Sequence, residues 1–204
     1  MKEKIICYIK PTVVQNPSIN VSFKECSHDE RNDRYLVESF VKTINFDKLT
    51  KRLGHKADRK SADSLSLTDR KVFLIEFKTG NQLNHENKIS RLISGVKKKI
   101  NDSEQTLYED IFEKCLEKSD YPTIAFYLVV DSKEIGADIY ARELANLSLG
   151  DNMSVYEKTL FEQVLPDLKL NCVNPTHFCD IDVWYSELFD TYLSSYGVVP
   201  MEVG

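Results

Sequence analysis

The chain has 204 residues and a formal net charge of −5, long enough for one domain with a real core. No apolar run approaches the about 18 residues that a membrane-spanning helix needs, and the one at the N-terminus is too short for a signal peptide, so a cytoplasmic protein is expected. The five cysteines, Cys7, Cys26, Cys115, Cys172 and Cys179, are odd in number and never spaced Cys-x-x-Cys, which argues for reduced thiols and against a disulfide framework or a zinc site.

Charge is unevenly spread. Residues 47–100 carry 14 basic against 6 acidic side chains, whereas residues 101–204 carry 6 against 20. A phosphate backbone would dock on the middle segment, not on the acidic C-terminal part. The plain alternative is a solvated surface.

In chain order, residues 4–10 and 19–24 are short alternating runs around Pro11 and Pro17, read as edge strands or an N-terminal extension. Ser27-His28-Asp29-Glu30 has the form of a capping box and opens a helix expected over residues 28–45, with Val37, Phe40, Val41 and Ile44 at helical spacing. On that helix Asp33 falls on the apolar face one turn before Val37, and Glu38 lies on its flank. Residues 47–60 are strongly basic, and a loop there carrying Lys56, Arg59 and Lys60 suits phosphate contacts.

The stretch that follows organises the rest. Residues 61–67 alternate small or polar with apolar residues, as a half-buried strand does, and the turn Thr68-Asp69-Arg70-Lys71 folds them back onto Val72-Phe73-Leu74-Ile75-Glu76-Phe77-Lys78. Side chains alternate faces along that second strand, so Val72, Leu74, Glu76 and Lys78 share one face and Phe73, Ile75 and Phe77 the other. Asp63 and Glu76 lie about equally far from the turn and so fall opposite each other. Two carboxylates and an ammonium meet at one sheet edge, where a buried charge is costly unless it is paired or binds an ion. A structural ion pair at a strand end is the other reading of Glu76 and Lys78.

This Asp-(x12)-Glu-x-Lys pattern, closing an apolar strand, resembles the PD-(D/E)XK nuclease superfamily through Asp63, Glu76 and Lys78, with Ala62 where the family's usual proline would stand. A second Glu-x-Lys, Glu86-Asn87-Lys88, has no strand around it. The resemblance implies a restriction-endonuclease-like or Holliday-junction-resolvase-like core running helix, three strands, helix, strand. It also implies Mg²⁺ or Mn²⁺ held by Asp63, Glu76 and the backbone carbonyl of Phe77, with Lys78 beside the attacking water. The first helix would lend a further acid, Asp33 or Glu38; the run from Asp33 to Val37 resembles the Glu-Arg signature of archaeal-type resolvases, with Asp in place of Glu.

Beyond Gly80, residues 85–100 form an expected helix with Ile89, Leu92, Ile93, Val96 and Ile100 buried and Lys88, Arg91, Lys98 and Lys99 on the solvent side. In the family this helix presents a basic side chain to nucleic acid, and Lys88 and Arg91 are the better placed. Residues 103–118 read as another amphipathic helix and 123–131 as a strand inside the sheet. Residues 134–147, 154–166 and 187–196 read as helices and 177–184 as a strand.

The expectation is a single domain, an α/β/α sandwich with a mixed central sheet. Its core spans about residues 27–131 and an acidic, α-rich extension about residues 132–204. The expected function is a metal-dependent endonuclease acting on DNA, in restriction, phage defence or recombination, with RNA left open as substrate. The rival expectation is a nuclease-like module that binds nucleic acid or protein without cutting, its acidic C-terminal half docking a second copy or a protein partner.

Overall fold

The computed structural model describes residues 1–54, 59–78, 86–131, 178–198, 200, 201 and 203. It opens on α1 (Lys2–Gln15), whose buried residues Ile5, Ile9 and Val13 recur every four positions. Residues 4–10 are therefore helical and not an edge strand. Pro11 sits inside this helix on its exposed side, where the cost of its missing N–H is eased by water.

After α1 come β1 (Asn20–Ser22) and the short α2 (Phe23–Cys26). The capping box that operates is Ser22 with Glu25: Ser22 Oγ accepts the Glu25 N–H at 3.2 Å, and Glu25 Oε2 accepts the Ser22 N–H at 2.7 Å. The helix expected over residues 28–45 does not form. In its place stand β2 (His28–Asp29) and β3 (Arg34–Tyr35), an antiparallel pair, followed by β4 (Lys42–Asn45). The physical reason lies in where the apolar residues go. Val37 is buried on one side of the main sheet, Ile44 on the other, and Phe40 is 75% exposed, so no single helical face could have buried them.

The chain continues through α3 (Phe46–Arg52), β5 (Ser64–Leu67), β6 (Lys71–Lys78), α4 (Glu86–Thr106), a π-helical stretch at Leu107–Phe112, α5 (Glu113–Cys115), β7 (Thr123–Val130), β8 (Phe178–Tyr185) and α6 (Phe189–Ser195). The two helices expected over 85–100 and 103–118 are thus one run without a break. The helices expected over 134–147 and 154–166 lie outside the described residues.

Six strands form one mixed sheet in the order β1-β4-β5-β6-β7-β8. Pairing is antiparallel from β1 to β6 and parallel for β6–β7 and β7–β8. The β5–β6 register pairs Leu67 with Val72 and Ser64 with Ile75, so the next residues along, Asp63 and Glu76, face each other as the hairpin arithmetic requires.

Helices pack on both faces. Val72, Leu74, Phe126 and Leu128 belong to a core shared with α1, α3 and α4, while Phe73, Ile75, Phe77, Tyr127 and Trp184 join Phe23 of α2 and Phe189 and Leu193 of α6. The alternation expected along β6 is the one seen. β8 and α6 belong to the sheet and to its second core, so residues 178–195 are built into the body of the fold instead of being appended to it. Among the described residues no helix is long and apolar enough to cross a membrane.

Candidate active site

Asp63 sits just before β5, where the strand leaves the β5–β6 ladder. Its backbone carbonyl accepts the Phe46 N–H at 3.1 Å, and its Oδ2 accepts the Phe77 N–H at 2.8 Å, replacing a ladder bond that β5 no longer supplies. The carboxylate is thereby locked against the last residues of β6. In an extended strand a residue's N–H and C=O lie on the same edge, so the Phe77 carbonyl also faces this side, beyond the last β5–β6 pair.

Glu76 is 0% exposed. Its Oε2 accepts from Lys99 Nζ at 2.7 Å, and its Oε1 lies 2.5 Å from Lys78 Nζ in an ion pair. Lys99 Nζ also donates to Asp63 Oδ1 at 3.1 Å, so a single ammonium bridges the two acids. Sequence reasoning placed Lys99 on the solvent side of its helix; in the fold it is central to the site. Neighbouring residues of the same helix fix the geometry. Asp102 Oδ2 accepts the Lys60 N–H and Ser103 Oγ the Ala62 N–H, each at 2.8 Å, which ties α4 to the segment that delivers Asp63.

The charges act on one another. Burial, then the Asp63 charge, pushes the Glu76 carboxyl up to about 7, against the pull of Lys99 and Lys78. Burial alone would lower the Lys99 ammonium, but the Glu76 and Asp63 carboxylates outweigh it and hold it above the ordinary lysine range. Burial and the Asp63 charge push the nearby Cys26 thiol well up, so it is no nucleophile at neutral pH.

Because Glu76 holds its proton more tightly folded than at the ordinary 4.5, the folded state binds more protons than the unfolded one between about 4.5 and about 7. Its contribution to stability is full below that window and is lost as pH rises through it. In EDTA, denaturant unfolding should show wild type losing on the order of 2–3 kcal/mol relative to Glu76→Gln across this range. Parallel stability profiles for the two proteins would contradict the burial of a titrating carboxyl here.

A cleft of about 550 Å³ opens beside the pair, lined by Asp63, Phe77 and Lys78 on one side and by residues 26–32 on the other. The acids expected from a first helix are elsewhere. Asp33 lies at a positive φ of 47°, its side chain 95% exposed and 3.2 Å from His28 Nε2. Glu38 is 72% exposed, paired with Lys24 at 2.5 Å, and lines a different cleft with Arg34 and Asp131. Neither joins Asp63 and Glu76, because the helix that would have aimed them inward is absent. Asp29 and Glu30 line the site cleft opposite Asp63, and Asp29 caps its own loop by accepting the Arg31 N–H at 3.1 Å and the Asn32 Nδ2–H at 2.7 Å.

Of the expected phosphate contacts, Arg59 is 6% exposed and paired with Glu109 and Asp110, which makes it a tie between the site loop and the π-helical stretch that follows α4. Lys60 and Arg91 are exposed. Lys56 and the side chain of Lys88 lie outside the described residues.

The donor set suits a hard divalent cation: two converging carboxylates, bridged at one oxygen each by a single ammonium, and a strand-edge carbonyl. Among the described residues no group of three or more His, Cys, Asp or Glu side chains could hold a metal, so main chain, water and phosphate would complete the shell. Comparison with protein-family models, curated proteins and solved structures finds no match for this chain.

Proposed function

We propose that this chain is a metal-dependent phosphodiesterase of the PD-(D/E)XK type, with a restriction-endonuclease-like core, that cleaves nucleic acid, DNA in the first instance. The observation that carries the reading is the sharing of one ammonium by Asp63 and Glu76 at 3.1 and 2.7 Å, with Lys78 2.5 Å from the second acid at the mouth of a cleft. Part of the element order supports it too: β4, β5 and β6 are antiparallel neighbours and α4 crosses over to the parallel β7, although α3 lies between β4 and β5, and β1, α2, β2 and β3 separate α1 from β4.

Asp63, Glu76 and the Phe77 carbonyl would hold Mg²⁺ or Mn²⁺. Such an ion, when bound, supplies Lewis acidity toward a phosphodiester and makes water more acidic. The chain's own groups do the rest. Lys78, 30% exposed, is placed to hold a water or a phosphate oxygen by a charged hydrogen bond. The Phe77 N–H fixes the Asp63 carboxylate so that it need not reorganise. The excess of basic residues over 47–100 favours a polyanion at this end of the molecule.

One observation favours the rival reading of a nuclease-like module that binds without cutting. The Lys99 and Lys78 ammoniums together already balance the two acids, so the fold does not need a metal to tolerate them. The test is supercoiled plasmid incubated with Mg²⁺ or Mn²⁺ and wild type, Glu76→Ala or Lys78→Ala. Cutting by wild type that both substitutions abolish supports the enzyme. Binding without cutting under either ion supports the module.

A further inference from the structure

We infer that Lys99 is a tethered cation occupying the divalent-ion seat, so that a metal ion loads only by displacing its ammonium. This rests on the metal-dependent reading of the site and adds to it an internal competitor.

The geometry is specific. Lys99 Nζ takes Asp63 Oδ1 at 3.1 Å and Glu76 Oε2 at 2.7 Å, the oxygens that a dication bridging these acids would need. A small hard cation binds such oxygens at about 2.0–2.1 Å, in the space between them. Ion and ammonium cannot share that space or those lone pairs.

Charge balance leads to the same result. With both acids ionised, two carboxylates face two ammoniums and the cluster is neutral. A dication added while both lysines stayed would leave an excess of positive charge around the fully buried Glu76, which low polarisability makes costly. Lys78 pairs with the other Glu76 oxygen, which leaves Lys99 as the cation whose departure frees the bridge.

Lys99 has a way out. It is 21% exposed, and its flexible stem lets the ammonium reach water while α4 stays in place. Asp102 and Ser103 hold α4 against Lys60 and Ala62 independently of it. Departure of the lysine therefore need not dismantle the site.

The test measures Mn²⁺ binding by the full chain, using calorimetry and electron paramagnetic resonance, for wild type, Lys99→Met, Lys99→Gln and Asp63→Asn. Both Lys99 variants should bind Mn²⁺ about ten-fold or more tightly than wild type, because neither contributes a competing charge. In EDTA they should melt below wild type, and Mn²⁺ should return the lost stability. Equal or weaker binding by both Lys99 variants overturns the inference. If Asp63→Asn then still loses the wild-type ion, the metal-site reading survives; if no protein binds Mn²⁺, that reading falls as well. A measurement on wild type covers the case of variants that do not fold: reductive methylation mapped by mass spectrometry should modify Lys99 several-fold faster in saturating Mg²⁺ than in EDTA. An unchanged rate overturns the proposal.

Discussion

Glu76→Ala is expected to cut supercoiled plasmid at least about 10³-fold more slowly than wild type while binding DNA within a few-fold of it. Glu76 contributes both of its oxygens to the site, one toward Lys78 and one toward Lys99, and it is the acid fully shielded from water. Its removal leaves Asp63 as the sole carboxylate of the set. Binding should survive because the lost charge is negative, and the remaining excess of ammonium favours a polyanion. Lys78→Ala should lower cutting by about 10²-fold or more, since it removes the ammonium that pairs with Glu76 and lines the cleft. Truncating Glu76 removes a fully buried side chain and the shared partner of two ammoniums, so a folding control is needed. Glu76→Gln supplies it, keeping shape and hydrogen-bonding oxygen without the charge. Rates of supercoiled-form loss, gel shifts and melting curves on the same preparations separate the effects. Wild-type cutting by Glu76→Ala would remove the acid pair from the chemistry.

The hairpin that carries this site was readable because its geometry is local. Asp63 and Glu76 are brought opposite by counting from one turn, and alternation alone assigns Glu76 and Lys78 to one face. β7 was readable as an apolar run of strand length and β8 as an alternating one. The N-terminal third was not. Ser22-x-x-Glu25 and Ser27-x-x-Glu30 both carry capping-box residues five positions apart, and only the fold shows that the first is used. Val37, Phe40, Val41 and Ile44 satisfy a helical period by coincidence, since they serve two different faces of the sheet or, for Phe40, the solvent.

Lys99 was hidden for a different reason. It follows two other lysines, and breaking the helix near residue 100 cut the line Leu92, Val96, Lys99, Ser103, Thr106, whose spacing by three and four marks one inward seam of α4. Read as an unbroken helix, that seam places a lysine among buried residues, which signals a partner acid.

Trp184→Ala is expected to destabilise the whole protein by about 3–5 kcal/mol, a large share of the about 5–15 kcal/mol that a domain holds. Trp184 is fully buried in β8, paired with Val129 of β7. Its ring stacks on Tyr127 at 3.9 Å between centroids and on Tyr192 at 5.1 Å, and meets Phe189 edge-on at 6.0 Å. The side chain thus joins a central strand, the last strand and α6, and its loss would open a void that three rigid rings cannot close. A melting temperature lower by about 10–15 °C should follow, in a single transition for the acid-pair hairpin and the C-terminal residues alike. Trp184→Phe should cost far less, because the indole N–H is buried without a hydrogen bond and phenylalanine removes that unpaired donor while keeping a ring. If residues 178–195 were an appendage, Trp184→Ala would leave the main transition in place and lower only a second one. One cooperative loss instead makes the acidic C-terminal part a structural requirement of the site: β7, which flanks Glu76 in the sheet through its pair Leu128, is held on its other side by β8.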